Sequence, residues 1–486
     1  MTSKSFCQRA FWRRKEIVGK CIRNISVSSH QNYAQLPRIK VDMSESVSKT
    51  FGEEDFVPKK HPGVLFRGRV CLPSEFTQTA KKILGNNSMK VKTKEMIEFE
   101  KHLKGRDLPI EPRAYKEMCI KIEERVRSKE EVMEPFFNAE QLQDLENRRF
   151  RETRELVKRL VYHWEPENYS GRKVLEYLML RSDAEYAALY KIMSEISKRD
   201  PDFEPVSLLD FGSGLCTSTW AANAFWNKSL NEHLCVDTSS DMNDTAELIL
   251  RQGKRDKPTI FRNVFFRQFL PTSPTRQYDL VTSAYSLFEL PSAKARIEVL
   301  NTLWRKCAKY LIIVEYGRYP GFRLINEARD FVLRLDRPTY RGADGHAFSP
   351  CPHDAVCPRF HEDIHACKFS VDYRSMIPFD KQIFKQELFS YVVLKKGTRS
   401  PKEPDWPRLL EEPIVRKRHI ICRLCLPSGN LKETVVTKKG VSQPMYRATR
   451  KSQWGDMLPV EEIELTNSSD STEGVDVEET EQDPKL

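Results

Sequence analysis

Between Ser349 and Phe369 the chain reads SPCPHDAVCPRFHEDIHACKF. Cys351, Cys357 and Cys367 fall within seventeen positions, with His353, His361 and His365 among them. Thiolates and imidazoles gathered in one short stretch are the donor set of a metal centre. The C-x5-C-x9-C spacing lacks the close C-x2–4-C pairing usual in structural zinc sites. A pair of that form occurs well downstream, at Cys422 and Cys425. Three thiols from one loop and one from a distant segment suit an all-cysteine iron–sulfur cluster. Zinc on Cys351, Cys357 and either Cys367 or a histidine is the alternative, and spacing leaves both open. Cys351 and Cys357 each precede a proline, which keeps the loop extended and rigid. His353, between two of the thiols, is placed to hydrogen-bond a ligand. Cys7, Cys21, Cys71, Cys119, Cys216, Cys235 and Cys307 are dispersed and read as core or surface thiols.

A second chemical signal is Asp210-Phe211-Gly212-Ser213-Gly214, which follows the apolar run Val206–Leu209. Glycines between a strand and a helix let the backbone approach a ligand, and the helix N-terminus offers free N–H groups. A dinucleotide fingerprint needs a third glycine at position 217, which is Thr217. The D-x-G-x-G spacing instead resembles the first motif of class I S-adenosylmethionine-dependent methyltransferases. That likeness implies that Asp210, Gly212 and Gly214 bind the cofactor. It makes Asp237 the acid for the ribose hydroxyls, and adds Asp279, which begins the fourth strand where the family active site opens, to the cofactor-binding residues. Cys216 stands where such enzymes usually carry another glycine. The segment Ser283-Ala284-Tyr285-Ser286 has neither the proline motif of amino-directed base methylation nor a cysteine for carbon-5 chemistry. Tyr285 could stack a base and Glu289 accept a proton, so catalysis stays open.

These motifs require an α/β scaffold. Apolar strands are expected at Val206–Phe211, His233–Thr238, Val264–Leu270, within Tyr278–Leu290, and at Tyr310–Gly317. The intervening helices begin near Thr217, Ser240 or Asp241, and Ser292. Strand alternating with helix implies a parallel sheet covered on both sides. Phe369–Tyr373 and Leu388–Lys396 supply two further strands that could finish it antiparallel. Upstream, Val91–Arg199 is charged and periodic, and reads as several helices whose bases form a solvated face. Downstream, Arg416–Lys439 reads as a β-hairpin around Pro427-Ser428-Gly429-Asn430.

The 486 residues carry a net charge of +11. From Glu461 onward there are ten acids and one base, a net −9, so residues 1–460 carry +20. Such a body suits a polyanion, most simply RNA. Residues 1–40 hold nine Lys or Arg and one acid, and their apolar residues share one helical face, the pattern of a mitochondrial transit peptide. No apolar run approaches the roughly 20 residues that span a bilayer. The expected organisation is a leader over 1–40 and a helical region over 41–204. A methyltransferase-like domain over 205–398 carries the cysteine insertion at 349–369. A hairpin extension covers 399–460, and an acidic tail covers 461–486.

DFGSGLCTSTWA, SLFELP, TLWRKCAKYLIIVEYG, SPCPHDAVCP, the C-R-L-C hairpin and SQWGDMLP occur in this order. Together they resemble the mitochondrial methyltransferase-like protein 17 family, over roughly Pro205–Pro459. The resemblance implies a class I methyltransferase-like (Rossmann-like) fold in the mitochondrial matrix. It implies an assembly role on the small subunit of the mitochondrial ribosome, as a monomer touching rRNA and ribosomal proteins in support of translation. It also implies a [4Fe–4S] cluster on Cys351, Cys357, Cys367 and Cys425, with Cys425 preferred to Cys422 by its place before the hairpin turn. The metal would staple the basic residues Arg416–Arg418, Lys438, Lys439, Arg447, Arg450 and Lys451 into an rRNA-binding surface, with Tyr446 and Trp454 free to stack. The alternatives are an active S-adenosylmethionine-dependent rRNA methyltransferase, a zinc-stabilised RNA-binding protein, and a redox or iron sensor.

Overall fold

The computed structural model describes residues 36–45, 47–48, 57–86, 93–128, 138–162, 164–271, 273, 275–335, 345–361, 365–377, 382–401 and 403–463. The amphipathic part of the expected leader and the acidic tail beyond Ile463 lie outside these residues.

The central sheet starts where the sequence turns apolar. β2 (Ser207–Phe211), β3 (Glu232–Val236), β4 (Val264–Arg267), β5 (Tyr278–Ala284) and β6 (Cys307–Tyr316) are parallel neighbours in the order β4-β3-β2-β5-β6. β9 (Phe384–Lys396) lies antiparallel beside β6. Its outer edge is shared end to end by β7 (Gly345–Ser349) and β8 (Phe369–Arg374). This mixed sheet matches the expected methyltransferase-like class. β7 lacks an apolar run long enough to announce itself, and pairing with β9 creates it. Central residues of β5 and β6, such as Leu280, Val281 and Tyr310–Val314, are fully buried, as strands covered on both faces must be.

Helices follow the strands in turn: α6 (Thr217–Trp226), α7 (Ser240–Leu250), α8 (Ala293–Lys306) and α9 (Tyr319–Leu335). Ser292 caps α8, its Oγ accepting from Ala295 N. The cap of α7 is Ser239 rather than Ser240 or Asp241; its Oγ accepts from Met242 N at 3.1 Å.

The upstream region contributes α1 (Ser74–Asn86), α2 (Thr93–Gly105), α3 (Pro112–Arg127), α4 (Ala139–Leu160) and α5 (Arg172–Arg199). α5 is buried almost continuously from Val174 to Leu189, because it packs between α6 and the β8–β9 edge. Charges inside it are therefore paired rather than solvated, contrary to the sequence reading. Arg181 lies 3.0 Å from Glu387 and its guanidinium sits 4.8 Å from the rings of Tyr285 and Tyr316.

A second sheet gathers both ends of the described chain. β12 (His419–Cys425) and β13 (Leu431–Thr437) form the expected hairpin. β10 (Arg408–Leu409) and β11 (Ile414–Val415) flank β12. β1 (Arg38–Met43) lies parallel to β13, and β14 (Val460–Ile463) closes antiparallel on β1. α10 (Gln443–Lys451) packs Met445 and Tyr446 into the core beneath, with Ile420, Cys422 and Leu424. No helix among the described residues is long and apolar enough to cross a membrane.

Candidate metal centre and cofactor turn

The cysteine loop leaves the sheet at the end of β7 and re-enters at β8, so β9 fixes both its ends. Cys351, Cys357 and Cys367 line one cavity together with Cys425, the last residue of β12. Pro350, His353, Pro358, Arg359 and Arg408 share its wall with the apolar Phe369, Leu410 and Leu431. The strand pleat separates the two hairpin cysteines. Ile420, Cys422 and Leu424 alternate inward to the core of the second sheet, while Cys425 ends the strand at the cavity. The hairpin turn abuts the loop: a Cβ on Gly429 would stand 3.0 Å from Ala355 Cβ, and its φ of +83° favours glycine.

Arginines hold this junction. Arg329 of α9 donates to the carbonyls of His353 and Ala355 at 2.9 and 2.7 Å. Arg408 Nε donates to Pro350 O at 2.9 Å, and its Nη2 meets Glu195 at 2.7 Å. Burial pushes Glu195 up, but Arg408 and Arg199 outweigh it and hold that carboxyl at about 2. Glu411 pairs with Arg359 from the loop and Arg423 from β12. The sequence gives no hint of these arginines, because each acts through a partner far along the chain.

Among the described residues, no three His, Cys, Asp or Glu side chains converge on a single-ion site. The thiols instead face one another across the cavity. Burial pushes Cys357 up strongly, and Cys367 and Cys351 add to the effect. Cys367 is raised to about 11, chiefly by burial. Burial and the other three thiols raise Cys425 well above its ordinary value. His353 Nε2 lies 3.3 Å from Cys425 Sγ, and burial pushes that imidazole down to about 4. Cys357, Cys367 and Cys425 so placed resist ionisation unless positive charge is added.

The glycine turn sits at the C-terminal edge of the central sheet. Gly212 and Gly214 have φ of +68° and +48°. A Cβ on Gly212 would fall 2.3 Å from Ser286 Cβ, whereas beside Gly214 nothing lies within 4 Å. Asp210 is buried, accepts from Thr282 Oγ1 at 2.7 Å, and is pushed up to about 6 by burial. Asp237 accepts from Gly214 N and Ser239 N, both at 2.9 Å, and burial raises it. Asp279 does not join this group. It lies at the opposite, N-terminal edge, where its Oδ2 accepts from Val206 N at 2.8 Å and Ser207 N at 3.1 Å. It opens the strand as expected, but ligands in such sheets gather at the other end.

Tyr285 and Glu289 are both engaged within the protein. Tyr285 is buried against Arg181 and 3.5 Å from Glu387. Glu289 pairs with Arg106 and accepts from Tyr169 Oη at 3.1 Å and Glu167 N at 2.9 Å. The stacking roles expected of Tyr446 and Trp454 also change. Tyr446 is in the core of the second sheet, and Trp454 is half-buried against the main core.

A family model for the mitochondrial small ribosomal subunit Rsm22 matches residues 171–459. The chain is 37% identical over 405 residues to the human mitochondrial ribosome assembly protein METTL17, covering 83% of this chain and 86% of that protein. It is 26% identical over 354 residues to the mitochondrial Rsm22-cox11 tandem protein 2 of Schizosaccharomyces pombe, covering 61% of this chain and 44% of that one. It is 21% identical over 410 residues to the mitochondrial ribosome assembly protein RSM22 of Saccharomyces cerevisiae, covering 56% and 64%. Among solved structures it is similar to the magnesium protoporphyrin IX methyltransferase of Synechocystis PCC 6803 with bound SAM. The TM-score is 0.29 at 10% identity, over 48% of this chain and 87% of that one.

Proposed function

This chain belongs to the mitochondrial small ribosomal subunit Rsm22 family and resides in the mitochondrial matrix, and from that premise we propose that it assists assembly of the small subunit as an rRNA-binding protein closed by a [4Fe–4S] cluster on Cys351, Cys357, Cys367 and Cys425. One observation carries this reading: the four thiols come from two separate sheets and line a single cavity where those sheets meet. The donor set fits the group. It is all sulfur, Cys357 and Cys425 are buried with Cys351 and Cys367 partly so, and all four line one cavity. When bound, the cluster would supply the positive charge that favours thiolates there.

The chain's own residues do the rest. The hairpin is anchored at its turn, beside Cys425 and Gly429. Its other end pairs His419 with Thr437, which sets Arg416–Arg418 next to Lys438 and Lys439. All five are exposed, as are Arg447, Arg450 and Lys451 of α10. Fixing one end of the hairpin therefore orients the basic end. Phosphate contacts from that end supply affinity, and rRNA shape supplies placement.

The glycine turn supports binding of S-adenosylmethionine without transfer. Open space beside Gly214 and the Asp237 carboxylate offer a place for the ribose, since two of its roughly four lone-pair sites remain. The acceptor side is filled by Arg181, Tyr285 and Glu289.

The test is Cys357→Ser in full-length protein purified without oxygen. Wild type should carry four iron and four sulfide per chain and co-sediment with small subunits. The variant should lose both properties while the central sheet stays folded by circular dichroism. A single zinc in wild type, or undiminished co-sedimentation of the variant, would refute the reading.

A further inference from the structure

Parallel strands are normally covered on both faces. β4, the strand at the far edge of the central sheet, departs from that rule. The described residues of its connection to β5, residues 268–277, form no helix. The β3–β4 edge is consequently open to solvent on one face. A groove of about 820 Å³ lies there, lined by Leu234, Phe265, Arg267, Arg276 and Tyr278 among others. Phe265 and Arg267 alternate on β4, so ring and guanidinium share a face. Phe265 is 50% exposed, and Phe269, just beyond the strand, is 74% exposed.

Glu232 on the groove wall pairs with Arg276, and the segment leading through β4 is otherwise strongly basic. Residues 251–277 contain seven Lys or Arg and one acid, Asp256. Lys254, Arg255, Lys257, Arg262 and Arg267 are all exposed. Exposed rings interleaved with bases complement a chain of phosphates carrying unstacked bases. An apolar protein partner would not require this charge, and duplex RNA would leave the rings without bases to stack on.

We propose that this edge is a second RNA site, in which single-stranded RNA stacks bases on Phe265 and Phe269 and pairs phosphates with Arg267 and its basic neighbours. The inference rests on the RNA-binding reading above but places a contact that the metal centre does not control. β4 and β9 stand five strands apart in the sheet order, about 24 Å at ordinary strand spacing. The two sites would grip separate stretches of RNA.

The probe is a twelve-nucleotide oligouridine containing 4-thiouridine, photo-crosslinked to anaerobically purified full-length protein and mapped by mass spectrometry. Adducts are expected within residues 251–277. The double variant Phe265→Ala/Phe269→Ala should weaken binding at this site about tenfold or more. Arg267→Gln should lower the salt slope of log affinity by about 0.7. Both changes lie at exposed positions, so an unchanged melting temperature checks folding. No adduct in 251–277, or an unaltered affinity in the double variant, overturns the proposal. So does a duplex that competes as well as the single strand. If the double variant keeps oligouridine but loses the small subunit, the face takes protein and the proposal is wrong. The metal-centre reading is scored separately on iron, sulfide and Cys357→Ser, so either can fail without the other.

Discussion

Glu315, near the end of β6, lies fully buried beneath the glycine-turn edge and accepts from Leu287 N at 2.9 Å. Burial, with a smaller push from Glu289, raises its carboxyl from 4.5 to about 8. The unfolded chain ionises this group near 4.5, whereas the folded chain keeps it protonated up to about 8. Below both values the group contributes nothing. As pH rises through the window, the unfolded state is favoured and stability falls, reaching a plateau above about 8. At about 1.36 kcal/mol per unit, the cost is about 1 kcal/mol at pH 5, about 3 at pH 7 and at most about 5 above pH 8. Glu315→Gln keeps an acceptor for Leu287 and cannot ionise. It should lie within about 1 kcal/mol of wild type near pH 5 and exceed it by about 4 kcal/mol at pH 8. For a domain of about 150–250 residues that is a rise of about 8–16 °C in Tm. Thermal unfolding of both proteins from pH 5 to pH 8.5, without oxygen, gives the difference directly. A difference that does not change with pH would show that Glu315 is ionised in the fold, and the burial argument would fail.

The two hairpin cysteines should separate cleanly. Cys425→Ser should lose iron and sulfide, whereas Cys422→Ser should keep both and pay only for a buried hydroxyl in an apolar core, about 1–3 kcal/mol. Equal iron loss from both would contradict the strand pleat. Arg408→Met should destabilise the protein by about 3–5 kcal/mol, because buried Glu195 then keeps Arg199 as its charged partner beside the Tyr391 hydroxyl. Adding Glu195→Gln should recover part of that in urea unfolding, and no recovery would mean that Arg408 acts through packing alone. Asp237→Ala should weaken S-adenosylmethionine binding by calorimetry while leaving small-subunit co-sedimentation intact. Transfer of label from the methyl group to ribosomal RNA in wild type would disprove binding without transfer.

The central sheet was readable because its strands are short apolar runs separated by helical stretches, and because β2, β3, β5 and β6 need both faces covered. The hairpin was readable from its turn residues. β1, β7 and β14 were not, since each is made a strand by a partner distant in sequence rather than by its own composition. The same distinction runs through the sites. Cysteine spacing pointed to a metal, but Arg329, Arg408 and Glu411 gain their roles from residues tens to hundreds of positions away. Asp279 misled because a strand's first acid looks alike at either edge of a sheet. Tyr446 misled because a helix of nine residues shows too few turns to reveal which side faces inward. The bases of Val91–Arg199 were read as a solvated face, since Arg181 looks solvated until Glu387, two hundred positions away, is known to pair with it.

The placement of β1 between β13 and β14 has a bearing on how the molecule matures. β1 finds β13 only after nearly four hundred more residues have followed it, and β14 only after more than four hundred. The second sheet is thus a latch that only the finished polypeptide can shut. A chain cut short before β13 leaves Arg38–Met43 with two unsatisfied edges and no hairpin to join, and one cut between β13 and β14 leaves one edge of β1 open. Because the surface proposed to meet rRNA is built on that latch, incomplete copies would lack the means to engage the particle they are meant to serve.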